Sequence, residues 1–364
     1  MHVTVVGAGI VGYAIAYELS ARGAHVRVID ERGSGQGATR ASAGMLAPYI
    51  EGHSGALLDL GLCSLDQYDG FVGRVASDAG CPIEYRRTGT LQVARGDADM
   101  GQLERGSRAL ASAGASHTLL DGREARRLEP ALADDICAAL LVPQHGYVGV
   151  ATFMAALVAA ASARGAQLSV ARVREINYAG SSVRVETSDG RLQTDAVVIA
   201  AGSWSSGIPM APAVPPPVRP IRGQLLHLRF PEPPLSRVVW GQASYLVPWQ
   251  DGSLLVGATV EDVGFDERVT VGAVRQLLDN GEQIVPSVRT AAFEGARAGL
   301  RPATSDELPI VGASSTMRGV YYATGHYRSG VLLAPLTAAL VADLVLNGQA
   351  GRELDLVRPD RFGL

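Results

Sequence analysis

Three glycines, Gly7, Gly9 and Gly12, stand at the spacing G-x-G-x-x-G within Gly7-Ala8-Gly9-Ile10-Val11-Gly12. At that spacing the first glycine permits a tight turn and the second lets the backbone approach a pyrophosphate. The third lets a helix pack closely on the preceding strand. Asp30 follows eighteen residues after Gly12, where a carboxylate can accept hydrogen bonds from ribose hydroxyls and would repel a 2′-phosphate. Far along the chain, Arg301 sits among Gly299, Leu300 and Pro302. A guanidinium makes a planar two-bond pair with a carboxylate, although an anonymous arginine is more often a solvated surface charge. Tyr245 heads an apolar run and could place its hydroxyl on the same ligand, or serve as an amphipathic core tyrosine. His145 and His53 have no neighbours that make a triad or a metal set, so they read as loop histidines. No metal site is expected.

These groups need elements to hold them. Val3 to Val6 reads as a short buried strand, Ile10 to Arg22 as a helix closed by Gly23, and His25 to Ile29 as a second strand: a β-α-β unit. That placement between a strand and a helix turns a weak glycine pattern into a strong one, and the helix N-terminus offers N–H groups to phosphates. Residues 33–48 are rich in Gly, Ala and Ser and read as a loop in close approach to something. Residues 57–79, 151–164 and 331–346 read as helices. Strands are expected at 90–93, 167–170, 195–201, 223–230, 245–248, 253–258 and 319–324, with two more between Arg172 and Gln193 joined at Ser188-Asp189-Gly190 and a turn at Asp251-Gly252.

The chain of 364 residues is long for a single domain, so two intergrown domains are expected. A content of 47% hydrophobic and 19% charged residues suits a globular protein. The net charge of -4, spread without a basic block, lacks the footprint of a nucleic-acid binder. All 32 basic residues are arginine, which excludes chemistry on an internal lysine, such as a pyridoxal phosphate Schiff base or a P-loop. Cys63, Cys81 and Cys137 are far apart without a CxxC pair, fit a reducing compartment, and read as buried small hydrophobes. No leader or membrane span is read, so the expected location is cytoplasmic.

The glycine turn alone does not separate NAD from FAD. A nucleotide fold interrupted by insertions and completed only at 195–205 and 319–346 favours FAD, as does a small-residue loop from Ala38 to Leu46 that could lie against a flat isoalloxazine ring. An ordinary flexible loop remains the alternative reading of that segment.

The sequence resembles the D-amino acid oxidase family of flavoproteins, and within it the glycine oxidase branch associated with thiamine biosynthesis. The resemblance runs over nearly the whole chain. It is carried by Val5 to Gly12, Ala41-Ser42-Ala43-Gly44-Met45-Leu46, Val198 to Ser205, Tyr245-Leu246-Val247-Pro248 and Val256-Gly257-Ala258-Thr259. It is most specific in Ala298 to Thr304 and in Ala323 to Pro335. It implies an α/β two-domain fold: a Rossmann-like FAD-binding domain from 1–80, 141–214 and 296–364, interleaved with an antiparallel-sheet substrate domain from 81–140 and 215–295.

By the same resemblance, Gly7, Gly9, Ile10, Val11, Gly12, Asp30 and Glu31 hold the ADP half of non-covalent FAD, with Val173 bonding the adenine through its backbone. Ala38, Thr39 and Gly202 are further cofactor contacts. Ala43, Gly44 and Met45 lie beside the flavin ring, and Met45 also borders the substrate. His326, Tyr327, Arg328, Ser329, Gly330, Val331 and Leu332 wrap the pyrimidine end of the ring, where backbone N–H groups stabilise charge on reduction. Arg301 and Tyr245 bind the substrate carboxylate, and Arg328 binds substrate or orders the cofactor loop.

The implied reaction is oxidative deamination of glycine, sarcosine or a small D-amino acid by hydride transfer to flavin N5, with no side-chain base. It gives a 2-oxo acid (glyoxylate from glycine), ammonia and, with molecular oxygen as acceptor, hydrogen peroxide. A homo-tetramer is also implied. The chain departs from the family pattern at Ala243, where histidine is common, at Val260, where methionine can stand, and at Ser329 in place of asparagine. Two rival readings are a D-amino acid dehydrogenase passing electrons to a quinone or other acceptor, and a flavin-binding protein without turnover. A monooxygenase using NAD(P)H lacks its second glycine-rich turn.

Overall fold

The computed structural model describes residues 1–50, 55–179, 182–349 and 351–364, and the fold is mixed α/β. His53 lies outside the described residues. At the centre is a six-stranded sheet in the order Ile310–Ala313, Val320–Thr324, Ala196–Ile199, His2–Val6, His25–Asp30, Gln167–Val170. Its pairs are parallel except the outermost, Ile310–Ala313 against Val320–Thr324.

The pleat divides these strands between two cores. Val3, Val5, Val26, Val28, Ala196 and Val198 face the helices Ile10–Ala21, Gly55–Ala79, Val150–Ala163 and Ala334–Asn347. Val6, Ile29, Val197 and Ile199 face an antiparallel layer built from Val173–Ala179, Ser182–Thr187 and Gly190–Thr194. Burial on both faces explains why these strands read as unbroken apolar runs rather than alternating ones.

A second, eight-stranded sheet runs in the order Ala292–Ala303, Arg219–Arg229, Ser253–Gly257, Tyr245–Pro248, Val238–Trp240, Thr90–Ala94, Ala138–Val142, Thr118–Asp121. Leu226, Leu228, Leu246, Leu254 and Val256 turn to one side and pack on Leu277 and Ile284 of the helix Val271–Ile284. Their alternates, Leu225, Val247 and Leu255, turn to the other side, toward Ala43, Met45, Tyr147 and Tyr245. That second face is the one that meets the six-stranded unit.

Several elements differ from the sequence reading. The loop over 33–48 contains a 3-10 turn, Ala38–Ala41, and a short strand, Met45–Leu46, paired with Gly146–Val148. The closing helix starts at Ala334 rather than Val331, with Pro335 in its first turn, where a missing N–H costs nothing. The helix Val271–Ile284 and the strand Ala292–Ala303 were not foreseen. Nor are the cysteines all buried: Cys63 and Cys81 pack at the margin of the large core and Cys137 is exposed. His145 is fully buried in a turn away from the cleft described below, its Nδ1 2.8 Å from Thr90 Oγ1. Among the described residues no helix is long and apolar enough to cross a membrane.

Candidate active site

A cleft of about 760 Å³ runs between the two sheets, from the glycine turn to the paired strands that carry Tyr245 and Arg301. At one end, the strand His2–Val6 delivers the chain into the turn and the helix Ile10–Ala21 leads it out. Gly7 has φ +112°, and a Cβ there would overlap the Ala200 carbonyl; a Cβ on Gly12 would overlap the Gly7 carbonyl. Gly9 differs: its Cβ would meet only Thr39 Oγ1 within the protein, at 3.3 Å, so the position opens on the cleft. The helix starts with no side-chain cap at Gly9 and no acidic residue in its first turn. The Ile10 N–H donates to Thr39 Oγ1 at 3.0 Å, and the positive end of the helix dipole lies at the cleft wall, the setting that suits a pyrophosphate.

Asp30 is more constrained than the sequence suggests. Its Oδ2 accepts from the Ala8 N–H at 2.9 Å and its Oδ1 from the Arg32 N–H at 2.8 Å. Each oxygen keeps a second lone pair for a ribose hydroxyl. Beside it, Arg32 stacks over Trp204, 4.1 Å from the ring centroid, and pairs with Glu267 at 2.7 Å.

At the middle of the cleft, Ala38, Thr39, Ala43, Gly44 and Met45 line one wall, and Val173, Gly202, His326, Tyr327, Arg328, Gly330 and Val331 border it with Glu31, Ile10 and Val11. Gly12, Ser329 and Leu332 stand behind the wall: the Ser329 N–H bonds the His326 carbonyl at 2.8 Å, and the Leu332 carbonyl accepts from Ser64 Oγ at 2.6 Å. Gly44, at φ +75°, could carry no Cβ without striking the Val148 carbonyl. His326 is buried with Nε2 3.0 Å from Thr337 Oγ1, and burial pushes its pKa down to about 4, so the ring is neutral at pH 7. The Tyr327 N–H bonds the Pro302 carbonyl at 2.8 Å, which fastens this turn to the strand bearing Arg301.

At the far end, register decides which side chains share a face. Ile221 opposes Arg301, Gly223 opposes Gly299, and Leu225 opposes both Arg297 and Gly257. Tyr245 opposes Gly257. Arg301 and Tyr245 thus project from the same cleft-facing side of the sheet, and Gly223 and Gly257 lie beneath them. A Cβ on Gly223 would overlap the Arg301 guanidinium, and one on Gly257 would lie 2.6 Å from the Tyr245 ring. Arg301 Nη1 donates to the Thr259 carbonyl at 2.9 Å and to the Arg222 carbonyl at 3.4 Å. Gly223, Gly257 and Thr259 were missed in the sequence, although a glycine inside a strand signals a close approach.

A pyrophosphate-type turn and a glycine-floored arginine at opposite ends of one elongated cleft are the arrangement of a dinucleotide-dependent oxidoreductase. The chain belongs to the DAO family, FAD dependent oxidoreductase, which matches residues 2–344, and FAD is its cofactor. The open Gly9 position and the helix N-terminus at the cleft wall fit that group. The chain is 34% identical to the glycine oxidase of Geobacillus kaustophilus, over 97% of this chain and 94% of that one. It is 35% identical to the bifunctional protein ThiO/ThiG of a Nostoc species over 95% of this chain, and spans only 52% of that relative's length. Among solved structures, glycine oxidase from G. kaustophilus superposes with a TM-score of 0.92 at 32% identity, covering 98% of this chain and 97% of that one. Iminodiacetate oxidase from Chelativorans sp. BNC1 does so with 0.90 at 29% identity, covering 98% of each.

Proposed function

We propose that the protein oxidises glycine or another small amino acid, such as sarcosine or a small D-amino acid, to an imine. Water hydrolyses the imine to a 2-oxo acid and ammonia (methylamine from sarcosine), and molecular oxygen, the final acceptor, is reduced to hydrogen peroxide. The observation that carries this reading is the placement of Arg301 and Tyr245 on one glycine-floored face, opening on the cleft that begins at the glycine turn. Bound FAD supplies the two-electron acceptor for the substrate's α C–H.

The chain's own residues bind and orient. Gly9, Ile10, Val11, Asp30 and Glu31 hold the ADP half, and Ala43 to Met45 with His326 to Val331 flank the ring. Arg301 grips the substrate carboxylate through two parallel hydrogen bonds, and the Tyr245 hydroxyl adds a third. With both carboxylate oxygens held, the α-carbon is placed in the cleft and only rotation about its bond to the carboxyl carbon remains, and such positioning carries much of the rate. His326, neutral and bonded to Thr337, brings no charge to the cleft. Ala243 and Val260, both exposed on the cleft, replace bulkier residues implied by the resemblance and leave room for a substituent on the amine.

An anaerobic flavin-reduction screen over glycine, sarcosine, D-alanine, D-proline and larger D-amino acids tests the reading, followed by peroxide measurement in air. Flavin bleached by none of them sinks it; bleaching without peroxide leaves a dehydrogenase. A hydrogen bond to a charged group contributes roughly 1.5–3 kcal/mol. Arg301→Ala should therefore raise KM on the order of a hundredfold with FAD retained, and unchanged kinetics would remove Arg301 from the site.

A further inference from the structure

Behind Arg301 lies a polar cluster that does not line the cleft. The Arg222 side chain is only 5% exposed, and its guanidinium pairs with Glu261 at 2.5 Å and Asp266 at 2.9 Å. The Glu261 carboxylate also accepts from Thr259 Oγ1 at 2.6 Å and from Gln224 Nε2 at 2.8 Å. The main chains of Arg222 and Glu261 exchange two hydrogen bonds, at 2.8 and 3.0 Å, and the Gln224 N–H bonds Thr259 Oγ1 at 2.9 Å. Burial disfavours the charge on Glu261, but the hydrogen bonds from Arg222, Thr259 and Gln224 outweigh it and hold its pKa below the usual carboxylate range.

Burying a charge such as that of Arg222 is costly unless it is partnered, and hydrogen-bonded charge networks fix one arrangement of whatever they touch. This one touches the two carbonyls, of Thr259 and Arg222, that take the hydrogen bonds of Arg301 Nη1. With Nη1 committed to the main chain, the Nε and Nη2 edge is left for a carboxylate, the edge that makes a parallel two-bond pair.

We propose that Glu261 is a positioning residue for Arg301: by tying Thr259 to Arg222 it fixes the two carbonyls that aim the guanidinium at the substrate carboxylate. This rests on the reading of Arg301 as the carboxylate-binding residue. It predicts a defect confined to carboxylate binding. In Glu261→Ala holoenzyme, KM for the amino acid and the Kd for acetate, read from the bound flavin's absorbance, rise roughly tenfold. The rate at saturating substrate and the FAD content stay as in the wild type. Glu261→Gln, which keeps one acceptor oxygen, recovers part of the loss. In an Arg301→Ala background Glu261→Ala adds nothing, because there is no guanidinium left to aim.

Equal effects of Glu261→Ala with and without Arg301 would overturn the proposal. So would Arg301→Ala shifting KM and acetate binding while Glu261→Ala shifts neither. If Arg301→Ala itself changes neither quantity, the substrate reading fails first and the positioning role falls with it. Thr259→Val, which removes one Glu261 contact at nearly constant volume, should shift KM in the same direction. It decides the matter if Glu261→Ala does not accumulate as holoenzyme; an unchanged KM there also overturns the proposal.

Discussion

Arg301 and Tyr245 lie across strand positions where any side chain would displace them, and this makes Gly223 and Gly257 as specific to the site as the residues above them. A methyl group at position 223 meets the far end of a flexible side chain, so the guanidinium swings aside and the sheet survives. Gly223→Ala should raise KM about tenfold or more while the melting temperature moves by only a few degrees. A large loss of stability with KM unchanged would show that the contact is structural only. Residue type and neighbours bring Arg301 and Tyr245 forward as candidates, and the resemblance gives them a shared role. The place of Gly223 beneath Arg301 is set by pairing between strands some 80 positions apart in sequence, Ile221 with Arg301 among them, which nothing local signals. Gly257 faces Tyr245 across a hairpin, where a glycine inside a strand was itself the readable signal.

At the scale of elements, the turn 326–330 and the helix Ala334–Asn347 are locked together by His326 Nε2 and Thr337 Oγ1. The buried ring holds its pKa near 4, against 6.5 for a free histidine. Between those values the unfolded chain takes up a proton that the folded chain refuses, so stability falls as pH drops from 6.5 toward 4, and is untouched above 6.5. The full penalty is roughly 3 kcal/mol at about 1.4 kcal/mol per pH unit. Urea unfolding at pH 7 and pH 5 should show a smaller drop in His326→Gln than in the wild type; parallel drops would place the acid sensitivity elsewhere. Elements differed in how plainly the sequence announced them. The helix Val271–Ile284 buries Ala273, Leu277, Gly281 and Ile284, a stripe readable at helical spacing. The strand Ala292–Ala303 is half exposed and rich in Ala, Gly and Arg, residues with weak strand preference. It is held by pairing along the length of Arg219–Arg229, which no local pattern announces.

For the whole molecule, the β-α-β opening of the FAD fold was readable because its strands are consecutive, and the order of the sheet was not, because its middle is assembled from distant segments. His2–Val6 has His25–Asp30 on one side and Ala196–Ile199 on the other, which in turn waits for Val320–Thr324. On a ribosome adding roughly 5–20 residues per second, the first strand stands with one edge uncovered for on the order of 10–40 s. During that interval Val3 and Val5, fully buried in the finished protein, have only part of their eventual cover. Cofactor capture is then a late event in synthesis. Chains arrested after Ala313 should hold no FAD and remain protease-sensitive, whereas chains extended through Asn347 and clear of the exit tunnel should acquire both flavin fluorescence and resistance; FAD retained by the shorter chain would show that the cleft closes earlier than its strand order dictates.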